Sequence, residues 1–416
     1  MNQHPQDTNS TSVKKTKLIF LLLFITPLFA DAIYSLTEFR IGILYRGLAY
    51  IAILSYITLL PLRRYKTLTF LCFYPLILAL GSSLFYGALT LGLTEAAKYS
   101  YPFAMTIFFL SKSKAFNKLT LLNCITNLGF VASLLILIPY ILGIGKPTYF
   151  EGAYGNKGFF SAQNDISITL AICLVLSAYQ YTSSRSTTSL VKSTLIALSL
   201  LVLGTRLAMI SALIIPICFI FQLRFKSIAI VALTLIVFAS PLYNIVADYL
   251  SFSAYENQKF ETMSSLGDKG RITLLTGANR FFENRSIIAH IFGSGTFEYL
   301  NQTFKNLSFL QLEGDMKAVE MDPIDLFGQF GIIYTVALYV FISSFIIRLL
   351  KLPTKTKETK SIIIALILAL LNSIFVGHTI NNAILAPVVA SLLSMATIIL
   401  RERSKKNEYT TVGKTA

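Results

Sequence analysis

The sequence predicts an all-α polytopic membrane protein with about 12 transmembrane helices and one large outer loop between spans nine and ten. Three observations predict it. Charged residues make up 13% of the chain and apolar residues 54%, whereas a soluble domain carries about 25% charged residues. Apolar runs near the ~20-residue length of a membrane-crossing helix recur from one end to the other. Basic residues gather in alternate connections between those runs, the pattern that sets membrane topology.

Residues 1–17 form a polar tail ending in Lys14, Lys15 and Lys17. Basic residues before an apolar run also begin signal peptides, and Leu28-Phe29-Ala30 is a weak cleavage signal. The run continues to Leu36, however, so a first transmembrane helix is expected. Nine spans are expected within 18–247, at 18–36, 41–60, 67–89, 95–111, 119–143, 163–181, 190–206, 207–222 and 227–247. The long polar outer segment 248–322 follows. Three more spans, 323–347, 361–381 and 383–400, precede a basic tail, 401–416. Two joins are tight, one at Arg206 and one at Asn381-Asn382.

With the N-terminus inside, the cytoplasmic connections hold Arg63, Arg64, Lys66, Lys112, Lys114, Lys118, Arg185, Lys192, Arg224 and Lys226. Arg348, Lys351, Lys355, Lys357, Lys360 and the C-terminal cluster follow. The acids on that side are Asp7, Glu358, Glu402 and Glu408. Both termini are therefore expected in the cytoplasm, with 144–162 and 248–322 facing outward. The net charge of +16 is spent on short topogenic clusters, so nucleic acid is not an expected partner; the lipid bilayer is. Cys72, Cys124, Cys173 and Cys218 fall inside apolar runs without Cys-x-x-Cys spacing and read as small buried residues. The three histidines are too scattered for zinc. No metal or cofactor is implied. The two halves show no internal repeat of the kind many transporters carry.

Candidate chemistry concentrates in and around the outer segment. Arg206 closes Leu203-Gly204-Thr205-Arg206 at an outward span end, where an anchoring arginine is the less expected choice, and a guanidinium fork suits a phosphate oxygen. Arg271 follows the turn-rich Gly267-Asp268-Lys269-Gly270 at the start of an expected amphipathic helix through 271–292, spaced by Ile272, Leu275, Phe282 and Ile287. A cation there gains nothing from the helix dipole, but an anion shared with the free N–H groups does. Arg280 and Arg285 lie on the same stretch, where a plain solvated face is the alternative. Glu320 and Asp322 stand at the mouth of span ten, with Asp325 three residues beyond Asp322 and on its helix face. Asp322 before Pro323 also suits an N-cap. A carboxylate at such a rim can serve as general base, and the Glu320-x-Asp322 pair can alternatively hold a divalent ion. Asn164-Asp165 opening span six and His378 with Asn381 and Asn382 closing span eleven can line a cavity, or simply cap and turn. Of the charges near span interiors, Arg46 and Lys98 are the clearest.

In order along the chain, Gly158-Phe159-Phe160 with Asn164, Gly204-Thr205-Arg206-Leu207-Ala208, Leu266-Gly267 through Arg271, Phe292-Gly293-Ser294-Gly295, and Glu320 through Gly331 resemble elements of the O-antigen ligase and O-antigen polymerase superfamily. These are bacterial inner-membrane glycosyltransferases acting on undecaprenyl-diphosphate-linked sugars. The resemblance implies transfer of a lipid-linked oligosaccharide to a hydroxyl of an acceptor glycan at the outer face, in company with a chain-length regulator. Arg206 and Arg271 would hold the departing diphosphate, helped by Arg280 or Arg285, with no metal, and Asp322 or Glu320 would accept the proton. Asp325, Asn164 and His378 would contact substrate. Ligases of this family commonly carry histidine in the last element, where this chain has Glu320 and Asp322, so polymerase is favoured over ligase. A flippase of lipid-linked sugars is the other class that fits many spans and outward cations.

Overall fold

A backbone in an apolar run must satisfy its own hydrogen bonds, and a helix does so within the segment. In the computed structural model, which describes residues 16–39, 41–86, 88–148, 155–220, 271–306, 318–319 and 321–412, the runs fold accordingly. The first eight helices are α1 (Thr16–Thr37), α2 (Ile41–Thr58), α3 (Lys66–Tyr86), α4 (Leu89–Ser111), α5 (Lys118–Ile141), α6 (Gln163–Ser184), α7 (Thr187–Leu203) and α8 (Arg206–Ile220). The described part of the outer segment forms α9 (Arg271–Glu283), α10 (Ile287–Phe292) and α11 (Thr296–Lys305). After it come α12 (Asp322–Leu350), α13 (Lys357–Phe375) and α14 (Ala386–Val412). Among the described residues seven helices are long and apolar enough to cross a membrane, and they mark the chain as a helical membrane-spanning protein. The expected span 227–247, the Gly267–Gly270 turn and Glu320 lie outside the described residues.

Local signals explain the boundaries. Asn117 caps α5 by accepting from the Thr120 N–H at 2.9 Å, and Thr356 caps α13 by accepting from Thr359 N–H at 3.2 Å. Gly204, at φ +70°, ends α7 and separates it from α8 at the tight join. The other tight join opens much further than expected. Helix α13 stops at Phe375 and α14 starts at Ala386, leaving 376–385 as a loop. Gly377 and His378 are left-handed there, at φ +77° and +57°, and side chains take over the backbone donors that a helix would have satisfied.

Helices α4 and α6 form the interior. Every residue from Tyr99 to Ile107 and from Ile166 to Ala178 is buried. Gly129 lets α5 approach α6 closely; a Cβ there would sit 2.5 Å from the Cβ of Cys173, the small-residue contact that membrane helices favour. By contrast, α2 and α3 expose Leu48, Ile51, Ile77 and Leu84.

The helix ends sort into two sets. One end carries a two-stranded antiparallel hairpin, β1 (Lys146–Pro147) with β2 (Asn156–Gly158), together with the α7–α8 break, the start of α12 and the 376–385 loop. At the other end Lys118 of α5 pairs with Glu358 of α13 at 3.6 Å and Glu402 of α14 at 2.7 Å.

Helices α9 to α11 fold onto the hairpin end around a small core of Leu274, Ala278, Phe281, Tyr299, Leu300 and Val319. The single helix expected through 271–292 is broken, because the Ser286 hydroxyl caps a new one at the Ala289 N–H, 3.2 Å away. The Gly293-Ser294-Gly295 turn then docks on a kink in α12 at Gly331, φ +77°. Ser294 N–H donates to the Gly328 carbonyl at 3.3 Å and Gly295 N–H to that of Gln329 at 3.0 Å.

Candidate functional site

Charged side chains within apolar helices converge at the hairpin end. Asp31 lies six residues before the end of α1, Arg46 five residues into α2 and Glu95 six residues into α4. At ~1.5 Å per residue each is roughly 8 to 9 Å from the helix end, so the three share one level. Asp165 on the first turn of α6 and Lys98, one turn along α4, join them. Together with Tyr34, Tyr45, Tyr99, Tyr101, Ser161, Gln329, His378, Asn381 and Asn382 they line a cavity of about 490 Å³.

The walls are cross-linked. Arg46 Nη1 donates to the Asn381 carbonyl at 3.2 Å, and Asn381 Nδ2 to the Tyr99 hydroxyl at 3.3 Å. Ser161 binds Asp31 twice, N–H to Oδ2 at 3.0 Å and Oγ to Oδ1 at 2.5 Å. Lys98 pairs with Glu95 one turn earlier on the same helix. Glu95, Asp165 and Asp31 all act electrostatically on the Arg46 guanidinium. Beside the cavity, on β2, Lys157 donates to the Ser161 carbonyl at 3.0 Å. Burial, reinforced by the nearby Lys146, lowers its ammonium below the ordinary lysine value, with Asp31 opposing.

The 376–385 loop that forms one wall is held by Asp322. This carboxylate is buried and accepts from Ser373 Oγ at 2.8 Å, His378 N–H at 2.8 Å, Thr379 N–H at 3.0 Å and Ile380 N–H at 3.3 Å. Asn382 adds its Oδ1 to the N–H groups of Ile384 and Leu385, at 2.7 and 2.9 Å. Asp322 therefore organises backbone, and it lies outside the cavity lining. Asp325 is buried too and accepts from Tyr299 Oη at 2.8 Å and Val319 N–H at 3.0 Å. Burial, with Asp325 alongside, raises Tyr299 well above the ordinary phenol value and keeps it a donor. Although the two carboxylates leave one helix face, they tie down different segments.

The other expected site residues are dispersed. Arg206 is exposed at the first turn of α8, beside Thr205, whose hydroxyl meets Ser167 Oγ at 2.7 Å. Arg271 opens α9. Arg280 is exposed and donates to the Asn306 carbonyl at 3.2 Å. Arg285 is half-buried, donating to the carbonyls of Phe327, at 3.1 Å, and Ala289. Its guanidinium lies 5.4, 6.0 and 5.3 Å from the rings of Phe281, Phe282 and Phe327. That is a clamp between the outer segment and α12. Asn164 is half-buried next to Asp165. Of the residues singled out from sequence whose side chains are described, His378, Asn381, Asn382 and Asp165 line the cavity, with Arg46 and Lys98 from the span interiors.

Asp31 and Glu95 are the cavity charges that sequence reasoning missed, whereas Asp165, Arg46 and Lys98 were singled out. Their signal is a charge within an apolar run, which is costly unless it faces a partner or a polar cavity. Among the described residues no group of three His, Cys, Asp or Glu side chains is placed to hold a metal ion. No protein-family model matches the chain, and no curated protein matches it significantly.

Proposed function

We propose that the chain is a membrane glycosyltransferase that joins undecaprenyl-diphosphate-linked glycan units, with 12 spans, both termini in the cytoplasm and the hairpin end facing outward. The observation that carries this reading is the cavity into which Asp31, Arg46, Glu95, Lys98 and Asp165 converge from four apolar helices. Fixed cations in a poorly hydrated site stabilise charge that develops as a diphosphate departs. On this reading Arg46 and Lys98, which line the cavity, take that role. The bond from the anomeric carbon to the diphosphate oxygen breaks, and its electron pair leaves with the diphosphate. The acceptor hydroxyl oxygen bonds to that carbon, and its proton passes to a cavity carboxylate, for which Asp165 is the candidate. Asp322 is reassigned from base to the group that positions the loop bearing His378. The sequence-based alternative keeps the diphosphate on Arg206 and Arg271.

A second reading has specific support. Charges drawn from four helices into one cavity also suit a carrier of lipid-linked sugars. A glycan gel from a strain lacking the chain, with lipid-linked intermediates extracted alongside, separates the possibilities. A single repeat unit on the acceptor is the result expected of a missing polymerase. Long chains stranded on the lipid diphosphate would assign the ligase. Single units trapped on the cytoplasmic face would assign the carrier and overturn the transfer mechanism.

A further inference from the structure

Helix α10 is short, and three of its four large apolar side chains are uncovered: Ile287, Ile288 and Phe292 are 78%, 71% and 48% exposed, while Ile291 is half-buried. In a water-filled loop this would be an unexplained apolar patch. Its position along the bundle is what matters. The Phe292 carbonyl accepts from Tyr74 Oη at 3.0 Å. Tyr74 stands twelve residues from the hairpin end of α3, about 18 Å of helix at ~1.5 Å per residue. On the other side the Gly293 turn rests against Gln329 and Phe330, seven and eight residues into α12. Beyond Tyr74 toward the hairpin end, α3 still exposes Ile77, Leu80 and Leu84. The C-terminal end of α10, at Phe292, therefore sits deeper along the bundle than apolar surface that a membrane-spanning α3 must present to lipid.

We propose that α10 is a re-entrant helix whose Ile287–Ile288 face contacts the acyl chains of the leaflet at the hairpin end. The backbone permits it. Ser286 caps α10 through its hydroxyl at Ala289 N–H and its carbonyl at His290 N–H, the Ala289 and Phe292 carbonyls accept from Gly293 N–H and Tyr74 Oη, and the polar turn that follows is paired to α12 instead of lying open to lipid, as buried irregular backbone in a membrane requires. The inference rests on the membrane-spanning reading of α3 and α12 and not on the proposed reaction.

The chain contains no tryptophan, which makes a clean test available. Ile288→Trp and, separately, Ile287→Trp are introduced into the full chain and reconstituted in phosphatidylcholine vesicles. Asn279→Trp, at an exposed position of α9, serves as the aqueous control. Blue-shifted emission at 288 and 287, quenched several-fold by acyl-brominated phosphatidylcholine and little affected by iodide, is the expected result. Water-like emission at both positions, quenched by iodide as strongly as at position 279, would overturn the proposal and return α10 to the aqueous surface. The paired variants guard against one of them failing to insert.

Discussion

At the scale of single residues, two charges with similar sequence credentials do different work. Arg46 faces a cavity and three carboxylates, whereas Asp322 faces four donors of the protein itself. On the proposed mechanism Arg46→Ala lowers glycan product by about 100-fold or more, the usual effect of removing one preorganised transition-state partner. The protein should remain in the membrane at normal amount. Glycan gels beside an immunoblot check this, and wild-type product from the variant removes Arg46 from the reaction. Arg206→Ala in the same strain decides between the two placements of the diphosphate. Asp322→Ala should act mainly on folding. Each buried donor left without an acceptor costs about 1–3 kcal/mol, so a loss of roughly 3 kcal/mol or more is expected in detergent unfolding. A variant as stable as the parent would mean that the 376–385 loop does not depend on this carboxylate.

At the scale of elements, glycine geometry separates what the sequence showed from what it hid. A Cβ on Gly331 would lie 2.4 Å from the Gly293 nitrogen, and one on Gly293 2.4 Å from the Gln329 carbonyl oxygen, both at positive φ. Gly331→Ala and Gly293→Ala should therefore each destabilise by about 2 kcal/mol or more through clash and backbone strain. At Gly47 and Gly81 an added methyl would meet nothing within 4 Å. Alanine there should be neutral or stabilising, by up to about 1 kcal/mol for a helix interior. Thermal unfolding of the four variants in one detergent gives the comparison, and equal shifts in all four would refute the docked-turn account. The turn at Gly293–Gly295 was legible because two glycines so close punctuate an apolar stretch. The kink at Gly331 was not, since one glycine in an apolar run looks like ordinary helix. The 376–385 loop was half legible. Asn381-Asn382 marked a join, but the length of the break was hidden, because the group that holds it open is Asp322, more than fifty positions away in sequence. The cavity was only partly legible, because its charges are single residues on four helices and no local pattern announces that they share a level.

At the scale of the molecule, the two ends of the bundle differ in how they treat charge, and that difference predicts orientation. The end marked by Lys118 also holds Arg63, Arg64, Lys112, Lys114, Arg185, Arg348 and Lys351 at the adjoining helix boundaries, with Glu358 and Glu402 as nearby acids. At the hairpin end the cations of the cavity, Arg46 and Lys98, are accompanied by Asp31, Glu95 and Asp165. Basic residues flanking short connections are retained on the cytoplasmic side, while acids contribute little to orientation, so the Lys118 end should face the cytoplasm. A fluorescent protein fused after Thr354 should then fold and fluoresce, because it stays inside. Alkaline phosphatase fused after Ile144 should be active, because it needs the oxidising outer compartment. The opposite pair of results would place the cavity on the cytoplasmic side. A lipid-linked glycan would then meet it before crossing the membrane, which fits a carrier and not an enzyme joining units at the outer face. Orientation is thus the property on which the proposed chemistry depends most directly, and it is the one that the distribution of basic residues speaks to independently of any side-chain geometry.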